Sequence, residues 1–599
     1  MGKSRPGPRL ATSPFMAVPV TPPRLRVTGA HRPGPALQGL IALVIYFGVF
    51  ILAFGLALIG RLGVPQVGQI YVDPQIFIWS YQWWPYAITH GLNPLYTTQI
   101  GAPVGYNLAA WTPSAPAAAL LMWPITALWG PVVSFNLTLL VAPPASAWAA
   151  FVAARRLTKR FWASLLAGAV YGFTLYELAH NSSGQVNVNV TLLFPLIVYL
   201  VLLWWDGTLG RTGFMIWLAV TLALEFYTFS EAFLDAAMVT VAALVVGFAA
   251  AGRGLRRKVA RLAGFTAAGY AGALILASPY LIYELRNMPN GLTRNAPGFE
   301  LHLVGLILPR ADRLWGLPTS LVSFARSNPN AGYVGIPMLV LLILFAILTW
   351  SNKLARVLVI MFVVIILLGL GSTFNVTKQP LFSLPWGGLW NLPIAQSVET
   401  SRFILFGFLV LAFVVALWLA APARSRLSRA ARWGLAVLAL AVMFANEATL
   451  AEVVVPPVMF KPAVASLKPE DALPPFIADG LYKKYLTPGE TIVVLSQRGN
   501  AGMLFQAETD FYFRIAGGFI NASLTPVNAI PPQVDVLSDP TPARVKAFKA
   551  YLKTSRVGAI IVEQAWSEHW MYVFGGLGMK GTTVGGVTIF RPARIKANT

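Results

Sequence analysis

A lone carboxylate in an aromatic loop is the first residue that could do chemistry. Asp73 is the only acid before Glu177, in the stretch YVDPQIFIW. At the mouth of a membrane cavity such a carboxylate can take a proton from a hydroxyl. It can also simply start a helix, since Asp followed by Pro suits a cap and a first helical position. Glu177 and His180 lie three residues apart and share a face if the segment is helical. They can orient a hydroxyl or bind a metal, or form the solvated end of a span. Asn181 and Gln185 follow them in HNSSGQVNVN. Arg402, in QSVETSRF, opens a long apolar run beside Glu399. Arg286, in LIYELRN, follows another such run beside Glu284. A guanidinium there can hold a phosphate through two parallel hydrogen bonds, whether a ligand's or a lipid headgroup's. Arg402 ranks first, because a helix start fixes its position. Arg61 directly follows the first apolar run and reads as a headgroup anchor. Glu225, Glu231 and Asp235 gather where two apolar runs meet and could bind a cation or solvate a turn. The five histidines are scattered. Glu177, His180 and His302 are the metal candidates, with His90 as a further member. The chain has no Gly-rich phosphate loop, no His-Glu-x-x-His and no Gly-x-Ser-x-Gly, so energy from ATP is not expected.

The elements that must position these residues are membrane spans. Of 599 residues, 56% are hydrophobic and only 11% charged, against about 25% charged in a soluble domain. That composition excludes a cytosolic enzyme, a disordered tail protein and a nucleic-acid binder with a solvated basic face. No cysteine is present, so no disulfide framework and no cysteine zinc site can form. The first apolar run, about 37–60, is long enough to span the ~30 Å hydrocarbon layer. It shows neither the short core nor the small-residue cleavage site of a signal peptide. Further runs lie near 161–179, 189–205, 212–229, 232–251, 262–283, 333–350, 357–371, 403–421 and 433–446. The stretch 113–154, broken by Pro116, Pro124, Pro131, Pro143 and Pro144, is two crossings or one crossing plus a juxtamembrane helix.

Charge decides between these, because Lys and Arg concentrate in cytoplasmic loops. The clusters at Arg155–Arg160, Arg253–Arg261, Lys353–Arg356 and Arg424–Arg432 can all be inside only if 113–154 crosses once in net. Eleven crossings follow, with a cytoplasmic N-terminus and the C-terminus outside. The cytoplasmic segments then hold 22 of the 45 basic residues and one acid, Asp206. The net charge of +23 is therefore a topology signal, and nucleic acid is not an expected partner.

Three regions result. Residues 1–36 form a basic, disordered cytoplasmic arm, 37–447 a mainly α polytopic membrane domain, and 448–599 a soluble extracytoplasmic α/β domain. In the last, TIVVLS (491–496), GAIIVE (558–563) and GVTIF (586–590) read as strands, and Pro542–Thr554 as a helix. The large outer loop 61–112 is rich in Trp and Tyr, which suit the membrane–water boundary. Gln75–His90 is expected to be a helix lying along that surface, anchored by Phe77, Trp79, Trp83, Trp84 and Tyr86. The other outer segments are His180–Asn189, about 284–332 and about 372–402. No internal repeat is visible.

This layout resembles the C-type (GT-C) glycosyltransferase superfamily. The likeness rests on an acid soon after the first span, in YVDPQIFIW, and a polar site after the third, YELAHNSSGQ. It covers 37–450 as architecture and mainly 71–111 and 176–185 as motif. It implies a membrane glycosyltransferase of the cytoplasmic (inner) membrane that moves a sugar from a polyprenyl phosphate to a glycan, lipid or protein acceptor. No nucleotide reaches the outer face, so the donor must be carried by lipid. Asp73 would be the base of an inverting transfer, and Arg402 or Arg286 would hold the donor phosphate. His90, Asn93, Tyr96, Glu177, His180, Asn181, Gln185, Glu231 and Glu399 would line the pocket. That pocket is expected between the first loop, the Glu177–Gln185 patch and the 284–332 loop, open sideways to membrane lipid. No cofactor is certain, and a divalent cation stays open. A transporter or flippase of a lipid-linked sugar, or a non-enzymatic envelope scaffold, are the alternatives.

Overall fold

The computed structural model describes residues 34–55, 60–65, 73–109, 114–287, 299–308, 332–376, 380–392, 398–423, 425–454, 473–496, 500–518, 542–564, 574 and 579–592. The basic arm up to residue 33 and most of the 284–332 loop lie outside them. Among the described residues six helices are long and apolar enough to cross a membrane: Pro35–Ala53, Pro131–Thr158, Val186–Trp205, Ser230–Ala250, Arg253–Asn287 and Thr400–Ala420. The chain is a membrane protein. Phe161–Gly172 and Ile336–Thr349 are shorter apolar helices.

The proline-broken stretch 113–154 contains a single helix long enough to cross. Pro116–Leu121 and Trp123–Trp129 precede it and are only 6 and 7 residues long. At 1.5 Å per residue neither reaches across the hydrocarbon layer. The run 161–179 is not one helix. It stops at Gly172, and the Thr174 side chain accepts a hydrogen bond from Glu177 N (3.1 Å) to start a new helix, Leu175–Ser182. An apolar run cannot reveal this break, because the capping threonine is itself compatible with a helix interior.

Close helix contact in this region depends on small residues, as it does generally between helices in lipid. A Cβ at Gly172 would run into the backbone of Ala147, and one at Gly168 into the Ala147 carbonyl and the Tyr46 hydroxyl. Tyr46 is buried and donates to Leu165 O at 2.6 Å. Gly172→Val should therefore push the Phe161–Gly172 helix off Pro131–Thr158 and cost about 1–3 kcal/mol or more. The measurement is thermal unfolding in detergent; an unchanged midpoint would mean that this helix is not tightly packed.

The C-terminal region folds as a five-stranded sheet in the order Arg514–Ile515, Thr491–Leu495, Ala559–Glu563, Val587–Phe590, Gly581–Val584. The first three strands are parallel and the last two antiparallel. Ala559–Glu563 and Val587–Phe590 are buried throughout, which is why they read as continuous apolar runs rather than alternating ones. All three expected strands and the helix Pro542–Thr554 are present.

The first loop builds the platform on which this sheet sits. Its helix runs Asp73–Thr89, close to expectation, but its aromatic residues are not lipid anchors. Phe77, Trp79, Trp83 and Trp84 are buried in protein. Trp79 Nε1 donates to Gln506 Oε1 (3.0 Å) and Gln82 Nε2 to Asp510 Oδ1 (3.0 Å). Phe511 packs edge-on against Trp79 and Trp83, with centroids 5.5 Å apart in each case. Beyond the helix the loop extends the sheet edge: Ile515 N donates to Gln99 O (2.8 Å), and Ala102 N to Ile515 O (3.0 Å). An amphipathic ring fits a protein interface as well as a membrane boundary, and composition alone does not separate the two.

Candidate functional site

Asp73 is the first residue of the Asp73–Thr89 helix, where the backbone dipole favours a carboxylate. Pro74 follows in the first turn, a position where its missing N–H costs nothing. The 180–189 segment reaches this helix start through Gly184, whose φ of +68° suits glycine. A Cβ there would lie 2.7 Å from the Pro74 ring and 3.0 Å from Phe135. The next residue, Gln185, donates through Nε2 to Asp73 Oδ2 at 2.6 Å. Its Oε1 lies 2.5 Å from His180 Nδ1. One amide thus bridges the first-loop acid and the histidine of the 180–189 segment.

The rest of that segment is held from inside. Asn181 Nδ2 donates to Leu139 O (2.8 Å) and to Asn189 Oδ1 (3.0 Å). Asn189 Nδ2 donates to Glu177 Oε2 (3.0 Å), and the Thr191 hydroxyl to Glu177 Oε1. Glu177 is fully buried, and these bonds turn its carboxylate toward its own segment. Sequence reasoning misses the pairing of Glu177 with Asn189 and Thr191; the alternating polar residues of NVNVT are the available signal.

Arg402 sits at the foot of the Thr400–Ala420 span in a nest of acids. Its Nη1 lies 2.5 Å from Glu231 Oε2, and its Nη2 2.8 Å from Glu399 Oε2. Glu399 N donates to Glu231 Oε1 at 2.8 Å, and the Phe229 ring lies under the guanidinium at 4.9 Å. Asp235, one turn after Glu231 on Ser230–Ala250, and Glu225, in the last turn of the preceding helix Arg211–Thr228, are buried close by. The guanidinium fork of Arg402, expected to hold a phosphate, is engaged by two carboxylates in this structure. A sequence shows that Glu399 is near but not that Glu231, 171 residues away, takes the other nitrogen. Breaking a buried pair leaves a charge uncompensated at about 3–5 kcal/mol. Arg402→Met should lower the unfolding midpoint sharply, and adding Glu231→Gln with Glu399→Gln should recover part of the loss. No recovery in the triple variant would mean that the ion pairs are not the cause.

His180 is buried between Gln185 and the Tyr176 ring. Burial pushes its imidazole down to about 4, and the charges of Arg402 and Glu399 both act on it. The ring is neutral at physiological pH.

Other expected members lie elsewhere. The Asp73–Thr89 helix has 17 residues, about 25 Å at 1.5 Å each, and His90, Asn93 and Tyr96 follow its far end. His90 stacks on Tyr86 at 4.0 Å. Asn93 Oδ1 accepts from Leu95 N (3.0 Å), and the Tyr96 hydroxyl donates to Val104 O (2.6 Å). These three shape the loop beneath the sheet rather than the surroundings of Asp73. Arg286 is exposed on the last turn of Arg253–Asn287. That helix end is tied to the first loop, with Asn107 Nδ2 donating to Asn287 O at 3.0 Å. His302 is buried in the 299–308 segment, next to Leu301, whose N–H donates to Gly369 O (2.8 Å). Among the described residues no three His, Asp or Glu side chains converge to hold a metal, so Glu177, His180 and His302 do not form one ligand set.

Below the site, the membrane body contains an apolar cavity of about 380 Å³. Ala236, Phe194 and Phe406 line it toward the acid-rich end, and Trp205, Gly247 and Leu354 toward the basic loops. Ala236 lies little more than one turn of helix from Glu231 on Ser230–Ala250, so this end of the cavity lies on the side of the membrane body that carries the Arg402 nest.

No protein family matches the chain by sequence pattern, and no curated protein matches it by sequence. Solved structures do resemble it. The arabinofuranosyltransferase AftD from Mycobacteria has a TM-score of 0.51 and 14% identity, over 93% of this chain and 39% of that one. The chain thus spans well under half of that protein's length. ArnT from Cupriavidus metallidurans, bound to undecaprenyl phosphate, gives 0.46 and 13%, over 94% and 98%. The archaeal oligosaccharyltransferase AglB from Archaeoglobus fulgidus, in complex with an inhibitory peptide and a dolichol phosphate, gives 0.41 and 14%, over 94% and 75%. At such identities the likeness speaks for fold alone: the chain shares an overall fold with the arabinofuranosyltransferase AftD.

Proposed function

We propose that the chain transfers a sugar from a polyprenyl-phosphate donor to an acceptor hydroxyl at the outer face of the cytoplasmic membrane, with inversion. The observation that carries this reading is the Asp73 carboxylate held by Gln185 at 2.6 Å, at the start of the first-loop helix of this fold. Asp73 takes the proton of the acceptor hydroxyl as its oxygen attacks the anomeric carbon. The bond to the phosphate oxygen breaks on the opposite face of the sugar, so the configuration inverts. Phosphate leaves as an anion and needs charge stabilisation more than a proton. With the Arg402 fork engaged by Glu231 and Glu399, the exposed Arg286 becomes the better candidate to hold it. The apolar cavity in the membrane body suits the isoprenoid chain. The acceptor is a glycan, lipid or protein hydroxyl.

The proposal includes eleven crossings, with the 1–36 arm inside, the membrane domain ending near 447, and the sheet domain 448–599 on the acceptor side. A reporter fused after Thr599 should be outside and one near Arg256 inside. The opposite result would remove the sheet domain from the acceptor side. The activity test is a transfer assay with a panel of polyprenyl-phosphate sugars and the full chain in lipid, read by mass spectrometry. Flux across liposomes without any transfer product would instead identify a transporter.

A further inference from the structure

His180 is fixed in one tautomer by hydrogen-bond bookkeeping. An ionised carboxylate only accepts hydrogen bonds. Gln185 must therefore present its NH2 to Asp73, as the 2.6 Å contact requires, and its carbonyl Oε1 to His180. A carbonyl also only accepts, so the proton between them belongs to His180 Nδ1. The ring is neutral, because burial disfavours its charged form. Its second nitrogen, Nε2, then carries a bare lone pair. Only 7% of His180 is exposed, and Nε2 is buried with no hydrogen-bond partner among the described residues. Leaving a buried acceptor unmet is costly, and such an atom calls for an explanation, a role in the chemistry among them.

We propose that His180 Nε2 accepts a hydrogen bond from a hydroxyl of the transferred sugar, and that Gln185 is the positioning residue that keeps this lone pair available. The inference rests on the transferase reading. Asp73 and His180 are joined through a single amide by contacts of 2.6 and 2.5 Å, so base and acceptor are no farther apart than one monosaccharide can bridge. A hydroxyl fits this lone pair better than a cation, because among the described residues no further His, Asp or Glu completes a metal site around it. A sugar lacking that one hydroxyl would leave Nε2 unmet when bound, which is how such sites reject deoxy analogues.

Two measurements test this. The first is nitrogen NMR of the full chain in lipid discs, labelled in its five histidines, with His180→Gln assigning the resonance. Nδ1 should be the protonated nitrogen and Nε2 the bare one, and Gln185→Leu should give a tautomer mixture. The second is a series of monodeoxy donors of whichever polyprenyl-phosphate sugar the chain transfers. In wild type one deoxy position should lose about tenfold or more in kcat/KM. In His180→Ala that same analogue should cost nothing further, while the other analogues behave as in wild type. A protonated Nε2, equal losses for every analogue in both proteins, or activity abolished by chelating divalent cations would overturn the assignment. Full turnover in Asp73→Asn would overturn the base assignment instead and leave the tautomer result standing.

Discussion

Asp73→Asn should lower kcat by about 10²–10⁴-fold, the usual contribution of a positioned general base, with KM for the donor little changed. Asparagine keeps the size of the side chain and its place at the helix start, and it caps helices as well as aspartate does. The Asp73–Thr89 helix, which is buried along most of its length against the rest of the protein, should therefore persist. What changes is the acceptor atom for the proton and the partner of Gln185. If the new asparagine turns its NH2 to Gln185, the glutamine amide must flip and offer its own NH2 to His180, which upsets the tautomer as well. If it turns its carbonyl, the bridge survives and only basicity is lost. Turnover falls in either case, but the His180 nitrogen resonances move only in the first, which separates loss of the base from loss of the bridge. Asp73→Glu keeps the charge and lengthens the arm, so partial activity is expected. A folded Asp73→Asn protein with full turnover would remove Asp73 from the chemistry.

Much of the scaffold is legible in the sequence. Long apolar runs have few alternatives in a membrane protein, and short β-branched runs bounded by charges and glycines identify Thr491–Leu495, Ala559–Glu563 and Val587–Phe590. Asp–Pro correctly marks the start of the Asp73–Thr89 helix. The failures share one cause: residue type and spacing show which side chains share a face, not what that face meets. Trp79 and Trp83 have the composition of lipid anchors, yet they meet Phe511 from a segment more than 400 positions away. His90 belongs to the same loop as Asp73, but a 17-residue helix carries it away. Arg402 looks available for phosphate in the sequence because Glu231 and Phe229 approach it only in three dimensions. The Gln185 bridge is visible there only as a polar patch, since its meaning depends on Gly184 letting the segment reach Pro74.

The same long-range contact yields the second large effect, because the helix that begins at Asp73 is clamped from above by the sheet domain. Phe511 is 5% exposed and lies in a cage of Trp79, Trp83 and Tyr86, the last at 4.7 Å. Gln506 is fully buried: its Oε1 receives Trp79 Nε1, while its Nε2 donates to Gln99 O (2.7 Å) and Phe513 O (2.9 Å). Truncating a buried Phe to Ala costs about 3–5 kcal/mol. The sheet keeps a second core on its other face, Val493, Leu495, Phe548, Ile560, Val562 and Phe590, which Phe511 does not join. Phe511→Ala should therefore loosen the docking of the domain more than its internal folding. Misplacing a catalytic group by about 1 Å can cost 10²-fold, so turnover should fall by about that factor although Phe511 is remote from any substrate atom. Hydrogen exchange is the direct readout: amides of 73–89 and 99–102 should lose protection in Phe511→Ala, while those of Ala559–Glu563 keep theirs. Phe511→Tyr, which preserves the ring, should restore most of both protection and turnover. Full activity with the 73–89 helix unprotected would show that the sheet domain is a cover over the membrane enzyme and has no part in holding Asp73 in place.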